Sequence, residues 1–176
     1  MLSILQLIVD AIATVLGGVL LLRFWMQAIR VRPPSSVAQF TFTLSDWLVR
    51  PLRRLVPGVG GYDWASLIGA FLVVFLATSV LFLSGMSGVT VFLLTLYRFL
   101  NWILYGFMAL LVVEAIFSWI NPQAPLAPLV RALNDPLLRP LRKVVPLVGG
   151  LDLSMLEALI LLQIAQLLLG MAFGFR

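Results

Sequence analysis

Polar residues are so sparse along this chain that the gaps between them outline its elements. Apolar residues run from Leu2 to Ile29 with Asp10 and Arg23 as the only charges, and from Trp64 to Leu83 with no charge at all. Two further runs follow, Val89 to Ile120, which carries Arg98, Asn101 and Glu114, and Leu153 to Phe173, which carries Glu157. At about 1.5 Å per helical residue these runs rise by roughly 42, 30, 48 and 32 Å, against a hydrocarbon core about 30 Å thick. The pattern predicts four transmembrane helices, the first and third tilted or overhanging.

Between the first two runs, Phe40, Leu44, Trp47 and Leu48 recur at spacings that gather on one helical face of Val37 to Val49. Leu129 to Leu138 is a second helical stretch, between the last two runs. Both read as amphipathic segments lying at a membrane interface. All ten prolines fall in these two intervening stretches and none in the four runs, as expected if lipid cannot satisfy the backbone groups an interior proline frees. Asp63 and Asp152 each stand just before an apolar run, where a carboxylate can accept from the unbonded N–H groups of a first helical turn.

The intervening stretches share a block of sequence. Asp46 to Asp63 reads D-W-L-V-R-P-L-R-R-L-V-P-G-V-G-G-Y-D, and Asp135 to Asp152 reads D-P-L-L-R-P-L-R-K-V-V-P-L-V-G-G-L-D. The two align without a gap. The reading is a tandem duplication, residues 1–88 and 89–176, each copy consisting of a span, an amphipathic basic loop and a second span. Two spans per copy make the repeats parallel, with both loops on one side. The fold class expected is therefore an all-α membrane protein of four transmembrane helices in two parallel repeats, each with a cytoplasmic interfacial helix between its spans.

Composition agrees: 62% of residues are hydrophobic and 11% charged, too little polar surface to coat a soluble globule of this size. The charge of +5 matters through its placement, since nine of the twelve basic residues lie in the two loops. The excess of positive charge there places the loops in the cytoplasm and both termini outside, in a bacterial inner membrane. Residues 1–6 lack a basic start and the apolar run continues past Ala13, so the first run reads as an uncleaved span. Without Cys or His, disulfides, thiolate chemistry and His-ligated metal or haem sites are excluded. No catalytic set, metal site or cofactor is expected. The Gly58 to Gly61 stretch lacks the lysine and the strand-to-helix setting of a phosphate loop.

Two sets of residues are candidates for function. Arg50, Arg53, Arg54, Arg139, Arg142 and Lys143 sit beside apolar residues, suiting them to anionic lipid or to a protein partner; nucleic acid is disfavoured because no recognition helix or stacking motif accompanies them. Asp10, Arg98, Arg23 and Glu114 are intramembrane charges, each expected to find a partner or a wet cavity. Matching the first span to the third predicts the pairs Arg23 with Glu114 and Asp10 with Arg98, with Glu157 a competing partner for Arg23. Such pairs serve either to fix the packing of the spans or to line an ion path. Gln163 and Gln166 share one face of the last span and suggest helix packing or a homo-oligomer, and Gly17 with Gly18 marks a close helix approach.

The paired R-P-L-R-[RK]-x-V-P-x-V-G-G-x-D blocks, each leading into an apolar span, resemble the YggT family of small bacterial membrane proteins with relatives in plastids. The resemblance covers nearly the whole chain. It implies an association with osmotic-stress tolerance, cell division or cytochrome assembly, and brings no catalytic residues. The function expected is a non-enzymatic membrane scaffold or assembly factor that binds anionic lipid and a protein partner. The alternative is a small oligomeric ion or osmolyte channel, or an accessory subunit for transport.

Overall fold

The computed structural model describes residues 2–144 and 153–174, and among them the chain is all helical. The six helices are α1 (Leu2–Ala28), α2 (Ser35–Leu55), α3 (Trp64–Ser79, continued by a 3-10 turn Val80–Ser84), α4 (Gly88–Ile120), α5 (Ala127–Val144) and α6 (Ser154–Phe173). Helices α1, α3 with its 3-10 turn, α4 and α6 are long and apolar enough to cross a membrane. Large apolar side chains stand exposed around them, among them Leu7, Leu76, Val89 and Leu167, as expected where the outer surface meets hydrocarbon.

Local chemistry explains where these helices stop. Helix α1 ends with Arg30 at φ 57°, an unusual left-handed conformation for a residue with a Cβ. The turn is closed by Val31 N–H to the Met26 carbonyl and Arg30 N–H to the Gln27 carbonyl, both at 3.0 Å. In α3, the hydroxyls of Thr78 and Ser79 donate to the carbonyls of Val74 and Phe75, four residues back, and the helix tightens to 3-10 just beyond them before Gly85 turns left-handed. The expected span Trp64 to Leu83 is thus an α-helix for only its first sixteen residues. Ser87 then caps α4 by accepting from Thr90 N–H.

Helices α2 and α5 extend beyond the ranges expected from sequence. Helix α2 continues through Pro51 to Leu55, and α5 through Pro136 and Pro140 to Val144, so the R-P-L-R-[RK] blocks are helical. All three prolines lie on the exposed side, where a carbonyl that loses its N–H partner can meet water. Ion pairs one turn apart, Asp46 with Arg50 and Asp135 with Arg139, lie next to these prolines.

Three apolar clusters hold the helices together. In the first, Ala13 and Leu20 of α1, Val49 of α2 and Ala65, Ala70, Val74 and Ala77 of α3 pack together, with Phe99 reaching in from α4. Small side chains dominate it, letting the backbones approach closely. At Gly69 an added Cβ would meet Leu52, Leu48 and Leu20, so α2 sits against the glycine side of α3. The second cluster joins Leu111 of α4, Leu138 of α5 and Ala158 and Leu162 of α6. The third links the two halves: Met26 of α1 packs with Leu129 and Leu133 of α5, while Trp25 Nε1 donates to the Leu133 carbonyl at 2.9 Å. Of the two adjacent glycines, Gly17 is the close approach, since a Cβ there would lie 2.3 Å from the Trp102 ring. Gly18 faces open space.

Candidate functional site

Where α1 meets the α2 and α3 ends of the first half, three helices bring buried charges together. Arg23 is 5% exposed and lies far along α1. Its Nη1 donates to the Ser45 hydroxyl at 2.6 Å and to the Asp46 carboxylate at 2.7 Å, both on α2. Its Nε lies 3.5 Å from the carboxylate of Asp63. The guanidinium also lies over the Phe42 ring, 4.8 Å from its centroid. A buried cation is tolerable when paired and hydrogen-bonded, and Arg23 has two carboxylates, a hydroxyl and a ring face.

Asp63 is the hub of this cluster at 3% exposure. It occupies the N-cap position of α3, but its carboxylate does not cap the helix as expected from sequence; the backbone carbonyl accepts from Ser66 and Leu67 N–H instead. The carboxylate takes Arg53 through Nε at 3.2 Å and Nη2 at 2.6 Å, and the Ser66 hydroxyl at 2.6 Å. The planar fork of Arg53 and the Ser66 hydroxyl occupy the carboxylate, with the Arg23 guanidinium close by, and the bidentate geometry holds it away from the first-turn amides. Burial pushes the Asp63 carboxyl up, but the hydrogen bonds from Arg53 and Ser66 and the nearby charges of Arg53 and Arg23 outweigh it and hold it below its ordinary value. The Asp46 carboxyl is also held low, by its hydrogen bond with Arg23 first and by Arg50 as well. The same bond to Asp63 raises Arg53 further above its usual range. The Gly60 and Gly61 turn, at φ 70° and 82°, brings the chain back from α2 to Asp63.

The second half carries a different arrangement. Glu114, 7% exposed on α4, accepts from Asn134 Nδ2 of α5 at 2.7 Å, and that same nitrogen donates to the Leu110 carbonyl at 2.9 Å. Arg142 lies at 3.9 Å from both Glu114 and Asp135, looser contacts on a half-exposed side chain. The predicted pair of Arg23 with Glu114 does not form: Arg23 takes Asp46 and Asp63, and neither Glu114 nor Glu157 is among its ion-pair partners. The reason is proximity, since α2 and the α2–α3 turn present two carboxylates to Arg23 within its own half. Asp152 lies outside the described residues.

Toward the other end of the spans, Arg98 reaches the Asp10 carboxylate at 2.5 Å and the Thr78 hydroxyl at 3.2 Å. Gln6 also donates to Asp10 at 3.4 Å. Asp10 and Arg23 are thirteen residues apart on one helix, about 20 Å along its axis, so the two charged sets are separate.

All six basic residues of the repeated block are exposed, but the guanidinium groups of two reach inward toward buried acids. Arg53 binds Asp63 and Arg142 lies near Glu114. Arg50 and Arg139 are 77% and 73% exposed, each paired with an Asp four residues earlier. Arg54 and Lys143 are exposed. Large apolar side chains stand exposed on the same two helices, Phe40, Trp47 and Leu55 on α2 and Val144 on α5. No group of three or more His, Cys, Asp or Glu side chains that could hold a metal occurs among the described residues.

Sequence reasoning missed Asp46, Ser45, Ser66 and Asn134. Asp46 and Asp135 open the two repeated blocks and stand four residues before Arg50 and Arg139, so the helical ion-pair spacing was the available signal. Ser45 and Asn134 occupy matching positions just before them, the first accepting from a cation and the second donating to a carboxylate.

A family model for CCB3/YggT matches residues 1–84 and 93–173. The chain is 32% identical over 157 residues to a protein of Escherichia coli K12 called uncharacterised protein YggT, covering 85% of this chain and 80% of that protein. An uncharacterised Vibrio alginolyticus protein is 33% identical over 165 residues, covering 89% and 88%, and one from Pseudomonas aeruginosa is 36% identical over 160 residues, covering 85% and 80%. No solved structure matches. With four spans-length apolar helices and a family match along nearly its whole length, the chain belongs to the CCB3/YggT family of membrane proteins.

Proposed function

We propose that the chain is a non-catalytic membrane scaffold, built as two parallel repeats, whose α2 and α5 lie at the cytoplasmic face of a bacterial inner membrane and hold anionic lipid together with a protein partner. The observation that carries this reading is the pairing of exposed cations and exposed apolar side chains on those two helices. Arg50, Arg54, Arg139 and Lys143 stand beside Phe40, Trp47, Leu55 and Val144. Each cation near an anionic surface contributes about 1 kcal/mol. The inward pair, Arg53 and Arg142, ties the same helices to Asp63 and toward Glu114 and holds the basic face against the bundle. Osmotic-stress tolerance or cell division is the process in which such a scaffold would act.

The test separates the outward cations from the inward ones. Replacing Arg50, Arg54, Arg139 and Lys143 together by Gln should leave insertion and the unfolding temperature near wild type. The full chain is reconstituted in nanodiscs and its native mass spectrum compared with and without phosphatidylglycerol. Retained anionic lipid in the wild type and its loss in the variant is the expected result. Equal lipid retention, or an ion current from wild-type liposomes altered by Glu114→Gln, would overturn the scaffold reading.

A further inference from the structure

The middle of α6 holds an amide with no visible use. Gln163 is the tenth of twenty residues in the helix, exposed, and makes no hydrogen bond among the described residues. One turn on, the Nε2 of Gln166 is buried and likewise without a partner. In water an exposed glutamine means nothing, but halfway along a membrane span the surroundings of an exposed side chain are hydrocarbon, where an unbonded amide is costly. Among the described residues no other exposed carboxamide or charged side chain stands at mid-span on any of the four long helices.

The neighbours of Gln163 form a seam. Leu156, Ile160, Leu167 and Met171 are all exposed and, with Gln163, follow one another at intervals of four, three, four and four residues. That is the spacing of a helix-pairing face, with one polar position near its centre of the kind that fixes register in coiled coils.

We propose that a second copy of this chain covers this seam, α6 against α6, about a two-fold axis along the membrane normal. The occupant follows from symmetry. Copies inserted with the same topology present α6 in parallel, so equal depths meet and Gln163 faces Gln163. A carboxamide carries both a donor and an acceptor and is therefore self-complementary across such an axis, each side chain giving one hydrogen bond and taking one. The flanking leucines and isoleucine meet their own copies in the same way. Interhelical amide bonds of this kind change association about tenfold when removed.

The chain contains no cysteine, so a single introduced thiol reports on its own position. Gln163→Cys and, on the far side of the exposed arc, Leu161→Cys are oxidised in native membranes. Cross-linking to a product of twice the chain's mass at position 163, well above that at 161, is expected. Wild-type protein, fluorescently tagged and counted by single-molecule photobleaching, should show two steps, and Gln163→Leu should weaken pairing about tenfold while Gln163→Asn restores part of it. Single-step bleaching of the wild type overturns the proposal whether or not the cysteine variants fold. So does a cross-linked product whose mass assigns the partner to another protein, or equal cross-linking at 161 and 163.

Discussion

The two halves solve one problem with opposite charges. In the first, a cation buried on the span, Arg23, is neutralised by Asp46 and Asp63 at 2.7 and 3.5 Å. In the second, a buried acid, Glu114, rests on a neutral amide at 2.7 Å with its nearest guanidinium at 3.9 Å. The neighbouring residue changes with the charge, from the Ser45 hydroxyl that accepts from Arg23 to the Asn134 amide that donates to Glu114. The contrast teaches that a buried charge of either sign can be held where a span meets its loop helix, provided the facing residue, Ser45 or Asn134, offers the matching hydrogen-bonding group. The first layer is tight and doubly charged; the second is looser and leans on one amide.

Reversing the charge in each half should separate them most. Arg23→Glu sets a third carboxylate beside Asp46 and Asp63, and a loss of about 4 kcal/mol or more is expected from unfolding in mild detergent. Glu114→Arg meets a half-exposed Arg142 with Asp135 close by, so the loss should be about half as large. Equal losses would break the comparison. Next in size is the neutralisation of the matching aspartates. Asp46→Asn weakens charge-assisted bonds to the buried Arg23 and should cost about 2 kcal/mol, whereas Asp135→Asn, on a 39% exposed side chain, should cost under about 1.

Acid sharpens the same contrast. Asp46 and Asp63 titrate below their ordinary value of 3.8, so the stability they contribute is complete above it and declines as pH falls below it through their lower folded values. Thermal unfolding followed from about pH 5 down to about pH 2 should therefore show a loss confined to the acid end, shallower in Asp46→Asn than in the wild type. Smallest of all, Arg50→Ala and Arg139→Ala each remove an exposed pair one turn apart and should shift stability by less than about 0.5 kcal/mol, alike in both halves. A larger effect at one of them would show that its pair braces the adjacent proline.

Much of the fold was legible because hydrocarbon imposes a simple rule: apolar length sets a span. The four apolar runs correspond to α1, α3 with its 3-10 turn, α4 and α6. Less legible was the fate of Pro51, Pro136 and Pro140, since a proline's effect depends on whether the carbonyl it frees faces water, and that is a matter of packing. The site divides the same way. Asp10 and Arg98 meet because the spans that carry them are matched in depth, and their pairing was readable from register. Register alone predicts the wrong partner for Arg23 because it ignores α2, which brings a carboxylate of its own, Asp46. Asp63 reads as a helix cap because its position is that of one, but Arg53, ten residues earlier, and the Ser66 hydroxyl take its oxygens.

The sequence distances within these contacts also order the making of the protein. Arg23 lies only 23 residues from Asp46, and Asp63 is in hand as soon as α3 begins, so the cation can be neutralised while the second half is still on the ribosome. Trp25, two residues further on, waits for Leu133, 108 positions later. Synthesis can therefore deliver a first half whose buried charge is already satisfied, and a neighbouring tryptophan open to receive the second.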